Sequence, residues 1–298
     1  MAPTKQGYLG KTYGSAGMHR LLIYLLKHIS FKFFYVFMYI FVIPITLILS
    51  PGARLTYQYF REKRGQGVLK SIKNTYLNHC IFGQTVIDKF AMYAGHKFKI
   101  NYHGLDLLQE KMASPESFIQ LSAHIGCSEI LGYSIELSKP CNVLVYGGEK
   151  QDLMNYRRSS FGAKNIKMIS VGFGSTESEK IIEALDNGEI VSAFADRLFN
   201  INKVVVSSLH GKKVHLARGP FSLAVNKGAS VFMVSAMKEN DNTYSAYFTP
   251  LYFDRSLPKC QQRQQLADAY TKEIERLLDI YPLQWFNYSN LWVEDNSE

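Results

Sequence analysis

Apolar and polar positions change texture twice along the chain. Residues 33–50, FFYVFMYIFVIPITLILS, are eighteen residues without a charge. As a helix at ~1.5 Å per residue they reach roughly 27 Å, close to the ~30 Å hydrocarbon core of a bilayer. A shorter apolar run, LLIYLL (21–26), comes first, and Lys27, His28 and Lys32 separate the two. Pro44 is placed to kink the longer helix. A spanning helix fits this pattern, and so does a helical hairpin broken near Ser30 that dips into one leaflet and returns. A buried core helix is the soluble alternative. The run starts too late and is too long for a cleaved signal peptide.

Residues 66–95 carry apolar side chains mostly at three- and four-residue spacing, which predicts one long helix ending at Gly95. Beyond it, short β-rich runs alternate with helical ones. Strands are predicted at 118–123, 142–146, 166–170, 190–195, 204–209, 214–217, 230–236 and 244–253. Helices are predicted near 127–138, 150–161, 176–187, 219–227 and 261–280. This alternation implies an α/β fold, a sheet flanked by helices, in place of a sandwich or bundle. The expected organisation is an N-terminal membrane-associated anchor, 1–50, and an α/β domain, 51–298.

Charge sharpens the picture. The chain carries a net +9, yet residues 1–75 hold eleven Lys/Arg against the single acid Glu62, and the remainder is close to neutral. The basic part is also the apolar part. That combination suits an anionic membrane surface better than nucleic acid. Five basic residues precede the apolar run and five follow it closely, so charge does not orient the segment. The four cysteines are scattered, without a C-x-x-C pair, so neither a disulfide framework nor a thiolate zinc site is expected.

The candidate chemistry lies at His124-Ile125-Gly126-Cys127-Ser128-Glu129. The apolar strand FIQLSA runs straight into His124, and a helix is predicted to start near Cys127 or Ser128. His124 thus sits at the carboxyl edge of the sheet, where open α/β folds place ligands. A turn at Gly126 lets Glu129 reach back and hold one ring nitrogen. The other nitrogen can then take a proton from a substrate hydroxyl. A helix-dipole role for Glu129 and a strand-capping role for His124 are the alternatives. Cys127 reads as a small buried residue, not a nucleophile. Arg157 and Arg158 are candidate phosphate-binding residues. Asp196, ending the strand IVSAFA, is a candidate for pairing with arginine or orienting substrate. Gly219, before Pro220, marks a helix start able to face an anion. Gly172-Phe173-Gly174 lacks the third glycine of a dinucleotide fingerprint, and no G-x-S-x-G occurs.

This ordered set resembles the bacterial lipid A late acyltransferases (lauroyl and myristoyl acyltransferases). They belong to the wider glycerolipid and lysophospholipid acyltransferase group, whose signature is H-x4-D/E. The resemblance runs through Tyr156-Arg157-Arg158, LDNGEIVSAFADR (185–197), HGKKVHLARGPFSLAVNKGASVFMVSA (210–236) and Pro282-Leu283-Gln284-Trp285-Phe286. It covers roughly residues 60–292. Two features differ from many members: Arg197 follows the aspartate where glutamine is usual, and Cys127-Ser128 replaces a frequent Asn-Trp.

The resemblance implies a mixed sheet flanked by helices and an O-acyltransferase at the bacterial inner membrane, with its catalytic domain on the cytoplasmic side. His124 would be the general base and Glu129 its orienting partner. Substrate would be bound by Arg157, Arg158, Asp196 and Gly219. No metal or bound cofactor would be needed; acyl carrier protein (acyl-ACP), or acyl-CoA, would serve as co-substrate. The acceptor would be a hydroxyl of a lipid A-like or other membrane lipid. The carrier, or anionic lipid, is expected to meet Arg54, Arg61, Lys63 and Arg64. A lysophospholipid or glycerol-phosphate acyltransferase using acyl-CoA is the alternative enzyme, and an inactive membrane lipid-binding protein the non-enzymatic one.

Overall fold

The computed structural model describes residues 16–146, 165–171, 175–198 and 202–293. It begins with helix α1 (Ala16–His28). The chain breaks at Ile29–Ser30, and the Ser30 hydroxyl caps the next helix by accepting from Lys32 N at 3.4 Å. Helix α2 (Phe31–Leu49) is, among the described residues, the one helix long and apolar enough to cross a bilayer. It is interrupted by a π turn at Met38–Val42 just before Pro44, where the ladder of hydrogen bonds loosens. Helix α3 (Pro51–Gln58) follows, capped by Ser50 Oγ. Helix α4 (Val68–Tyr93) is the long helix expected from the periodicity.

The faces of α2 differ. Phe31, Tyr35 and Met38, at i, i+4 and i+7, together with Ile43, pack against Cys80, Ile87 and Ala91 of α4. Met38 fills the notch left by Gly83, where a Cβ would lie 1.9 Å from its sulfur. Phe33, Phe37, Ile40, Ile45, Ile48 and Leu49 face outward and are exposed. The apolar segment is therefore seated on the α/β body along one face, with a second apolar face uncovered. Exposed apolar area of this kind is what a membrane covers.

Tyr35 also joins a buried polar cluster. Lys238 Nζ lies 2.5 Å from Asp88 Oδ2, and both side chains are almost completely buried. The hydroxyls of Tyr35 and Tyr244 donate to the same carboxylate. The ammonium is enclosed by rings, 4.9 Å from the centroid of Tyr244 and 5.3 Å from that of Tyr35. Burial pushes the Asp88 carboxyl up from its usual range, against the opposing pull of Lys238 and the two phenols.

The body is a seven-stranded mixed sheet with order β1-β9-β8-β2-β5-β3-β4. Its strands are β1 (Lys99–His103), β2 (Phe118–Ser122), β3 (Cys141–Tyr146), β4 (Ile166–Val171), β5 (Ile190–Phe194), β8 (Ser230–Asn240) and β9 (Thr243–Leu251). β2, β3, β4, β5 and β8 run parallel, while β9 is antiparallel to β8 and parallel to β1. A separate hairpin pairs β6 (Val204–Leu209) with β7 (Lys212–Ala217). The helices between are α5 (Leu105–Ala113), α6 (Glu129–Ser134), α7 (Ser175–Asp186), α8 (Arg218–Lys227) and α9 (Lys259–Ile280).

Strand alternation sorts the core onto both faces. Ile119 and Leu121 pack with Phe221 of α8 and Leu266 and Tyr270 of α9. Phe118 faces the other way, with Leu108 of α5 and Ile130 of α6. The predicted strands and helices that fall on described residues appear with their ends shifted by a few residues. β1 and α5 were not anticipated. Most of β1 is exposed edge strand, so its side chains lack the hydrophobic alternation that signals a strand. The helix predicted near 150–161 lies outside the described residues.

The basic cluster after α3 is partly engaged. Arg54 and Arg61 are exposed. Lys63 Nζ sits 5.2 Å from the centroid of the Trp292 ring. Arg64 reaches Asp279 at 3.4 Å and lies 2.7 Å from His210 Nε2. His210 holds a left-handed backbone, φ 51°. Burial, reinforced by the Arg64 charge and opposed by Asp279, pushes its pKa down to about 4. An unfolded histidine titrates near ~6.5. Above that value both states are neutral; as pH falls from there toward 4, only the unfolded chain takes the proton. His210 therefore favours folding above pH ~6.5, and this contribution is lost on acidification toward 4. His210→Asn, tolerant of positive φ, is expected to flatten this part of a melting-temperature-against-pH curve. Parallel curves for the two proteins would refute it.

Candidate active site

Sheet register builds the site. β2 and β5 are parallel neighbours with Ser122 opposite Phe194. Two residues beyond each of these positions come His124 and Asp196, so both emerge at the carboxyl edge side by side. His124 Nδ1 lies 2.7 Å from Asp196 Oδ1, and the His124 backbone N–H donates to Asp196 Oδ2 at 2.8 Å. The Phe194 ring packs at 4.5 Å from the imidazole. Asp196 is buried and His124 half-buried. Burial works to raise the Asp196 carboxyl, but the His124 charge, its two hydrogen bonds and Arg197 outweigh it and hold the group below its usual range. An ionised carboxylate at Nδ1 requires a hydrogen there, which leaves Nε2 with the lone pair.

The turn after His124 is tightly made. Gly126 has φ +57°, and a Cβ there would lie 2.1 Å from the Ala236 carbonyl oxygen, so glycine alone fits. Gly126 N donates to Gln284 O at 3.0 Å, Cys127 N to Ala236 O at 2.7 Å, and Phe286 N to His124 O at 2.7 Å. The segment Gln284–Phe286 thus lies along the His124–Cys127 turn like a short extra strand, and Ile125 bridges Trp285. Gln284 is itself clamped on β8, its side chain accepting from Lys238 N at 2.9 Å and donating to Lys238 O at 2.7 Å. Tyr270 of α9 donates to Ser122 O at 2.8 Å. Cys127 is buried, and that burial, with Glu129 and Asp88 adding to it, pushes its thiol up to about 12, far from a thiolate nucleophile.

The expected partner of His124 changes. Glu129 opens α6 as expected, but the carboxylate at Nδ1 belongs to Asp196; Glu129 lies 3.4 Å from Lys89 Nζ on α4. The reason is topological. Adjacent parallel strands bring their ends together, whereas Glu129 has already turned into the helix. Asp196, expected to meet arginine or substrate, is instead hydrogen-bonded to the ring. Gly219 lies in the first turn of α8. Ala217, just before that helix, donates to Ala195 O at 3.0 Å, next to Asp196. The helix start is thus beside the site. Arg157 and Arg158 lie outside the described residues. Sequence reading passed over Lys89 and also Asn287, whose amide nitrogen lies 3.2 Å from Asp196 Oδ2. A lone polar residue after an aromatic pair carries no periodic signal. Among the described residues, no group of three or more His, Cys, Asp or Glu side chains is arranged to hold a metal ion.

Residues 82–294 match the model of the bacterial lipid A biosynthesis acyltransferase family. The chain belongs to this family. Family membership makes it an acyltransferase that acts on lipids, and the matched region contains His124, Glu129, Asp196 and Asn287 but not α1, α2 or α3. No curated protein matches the chain. Among solved structures, it is similar to the 1-acyl-sn-glycerophosphate (LPA) acyltransferase PlsC from Thermotoga maritima. The identity is 15% and the TM-score 0.39, covering 90% of this chain and 99% of that one.

Proposed function

We propose that this family member is a membrane-bound O-acyltransferase that moves a fatty acyl group from an acyl carrier protein thioester to a hydroxyl of a lipid A-like acceptor. The observation that carries the reading is the His124–Asp196 pair at the carboxyl edge of the sheet. His124 Nε2 removes the acceptor hydroxyl proton as its oxygen attacks the thioester carbonyl. Asp196 holds Nδ1–H and stabilises the imidazolium that forms. Collapse of the tetrahedral intermediate expels the thiolate, which takes the proton back from Nε2. The products are the acyl ester and the carrier thiol, and no covalent acyl-enzyme is required.

The outward apolar face of α2 and the basic residues around it hold the site at the membrane surface, where its lipid acceptor resides. Lys63 and Arg64 are half-buried, and the exposed Arg54 and Arg61 are the cations offered to an acidic carrier, on the cytoplasmic side of the inner membrane. The test is twofold. Purified enzyme in neutral detergent is offered a lipid A precursor with acyl carrier protein or coenzyme A thioesters, and host lipids are compared by mass spectrometry with and without the gene. An acyl ester appearing on lipid A, from the carrier donor, is expected. Turnover with coenzyme A alone, or acyl gain only on lysophospholipid, would overturn the donor or acceptor assignment.

A further inference from the structure

Asp196 is held from a second side. Its Oδ1 takes the imidazole Nδ1, and its Oδ2 accepts both His124 N–H, at 2.8 Å, and the side-chain amide of Asn287, at 3.2 Å. The same amide nitrogen donates to the Asp196 backbone carbonyl. Asn287 is buried. Its own orientation is set, because its Oδ1 accepts from Ser289 N at 3.3 Å and from the Ser289 hydroxyl. With the oxygen engaged there, the NH2 group must point at Asp196. The residue follows the Gln284–Phe286 segment that bonds the catalytic turn through Gly126 N and His124 O. Side chain and backbone of one short C-terminal segment thus grip both partners of the pair.

We propose that Asn287 is a positioning residue for acyl transfer: it fixes the Asp196 carboxylate so that Oδ1 meets His124 Nδ1 and keeps the base aimed at the acceptor hydroxyl. The inference rests on the His124–Asp196 reading above. A buried carboxylate has about four acceptor sites. With Oδ2 anchored twice, the group cannot rotate away from the ring or swing to a cation. A donor at this place also disfavours protonation of Asp196, because hydrogen bonds to the ionised carboxylate are stronger than those to the neutral acid. Among the described residues, the charged or titratable neighbours of Asp196 are His124, Arg197 beside it in the chain, and Tyr270 on α9, all outside the Asn287 segment.

The test uses the full-length enzyme in detergent, with turnover per folded molecule. Asn287→Ala is expected to lower kcat about 10- to 100-fold with little change in KM, the range over which a misplaced reacting group is felt. Asn287→Asp keeps the shape but sets a second carboxylate against the first. It is expected to move the acid limb of kcat/KM to higher pH and to change the imidazole 15N chemical shifts. Ser289→Ala removes only a donor that aims the amide. It provides a mild variant if the others fold poorly, and is expected to lower kcat in the same direction by less. A purely structural role would lower the melting temperature and leave kcat, the acid limb and the 15N titration of folded protein at wild-type values; that result overturns the proposal. His124→Ala and Asp196→Asn run alongside. If they stay active, the underlying site reading fails; if they are inactive while the Asn287 and Ser289 variants behave as wild type, only this inference fails.

Discussion

His124→Ala is expected to reduce acyl transfer by about 10²–10⁴-fold with the fold intact, since general-base catalysis contributes on that scale. Asp196→Asn is expected to come close to it. An amide at that position can donate to Nδ1 and so favour the tautomer with hydrogen on Nε2, which cannot accept the acceptor's proton. The 2.7 Å contact and the burial of Asp196 make that substitution more than a loss of charge. Glu129→Gln provides the discriminating comparison, because Glu129 is placed beside Lys89 and not at Nδ1. The check is initial rate at saturating thioester with circular dichroism of each variant. Near-wild-type turnover in a folded His124→Ala or Asp196→Asn enzyme would remove the pair from the mechanism. A Glu129→Gln loss matching His124→Ala, with Asp196→Asn active, would return the orienting role to Glu129.

Lys238→Met is expected to destabilise the protein by about 3–5 kcal/mol, the usual consequence of leaving one member of a buried ion pair alone. At this chain length that is roughly a 5–8 °C fall in melting temperature. Asp88 would keep two phenol donors but lose its cation in a site from which water is excluded. The effect should reach beyond stability, since Tyr35 of the apolar helix and Gln284 beside the His124 turn both bond this cluster. Replacing both charges, Asp88→Leu with Lys238→Met, is expected to recover part of the loss, because desolvation of two ions is then avoided. Thermal melts of wild type and the two variants in one detergent check this. A single variant as stable as wild type would show that the pair contributes nothing net.

Both predictions turn on contacts that join distant parts of the chain, and this marks the boundary of what the sequence holds. Linear pattern by itself determined the uncharged run at 33–50, the long α4, most strands and helices on the described residues, and His124 at the end of an apolar strand. These follow from the reach of a helix, the 3.6 and 2.0 residue periods and the meaning of a strand meeting glycine, all of them local properties. The partner of His124 was not local. Glu129 is five residues away in sequence and Asp196 seventy-two, yet register between two parallel strands decides in favour of the latter. Strand order is set by which apolar faces bury together, and one chain's pattern is compatible with several orders. The same holds for Asn287, brought to Asp196 by a C-terminal segment laid along the His124 turn. It holds equally for Tyr35, which the sequence placed within a uniformly apolar run and the tertiary structure turned toward a buried carboxylate. Local sequence chooses the elements; only their packing selects which polar groups, excluded together from water, must satisfy one another.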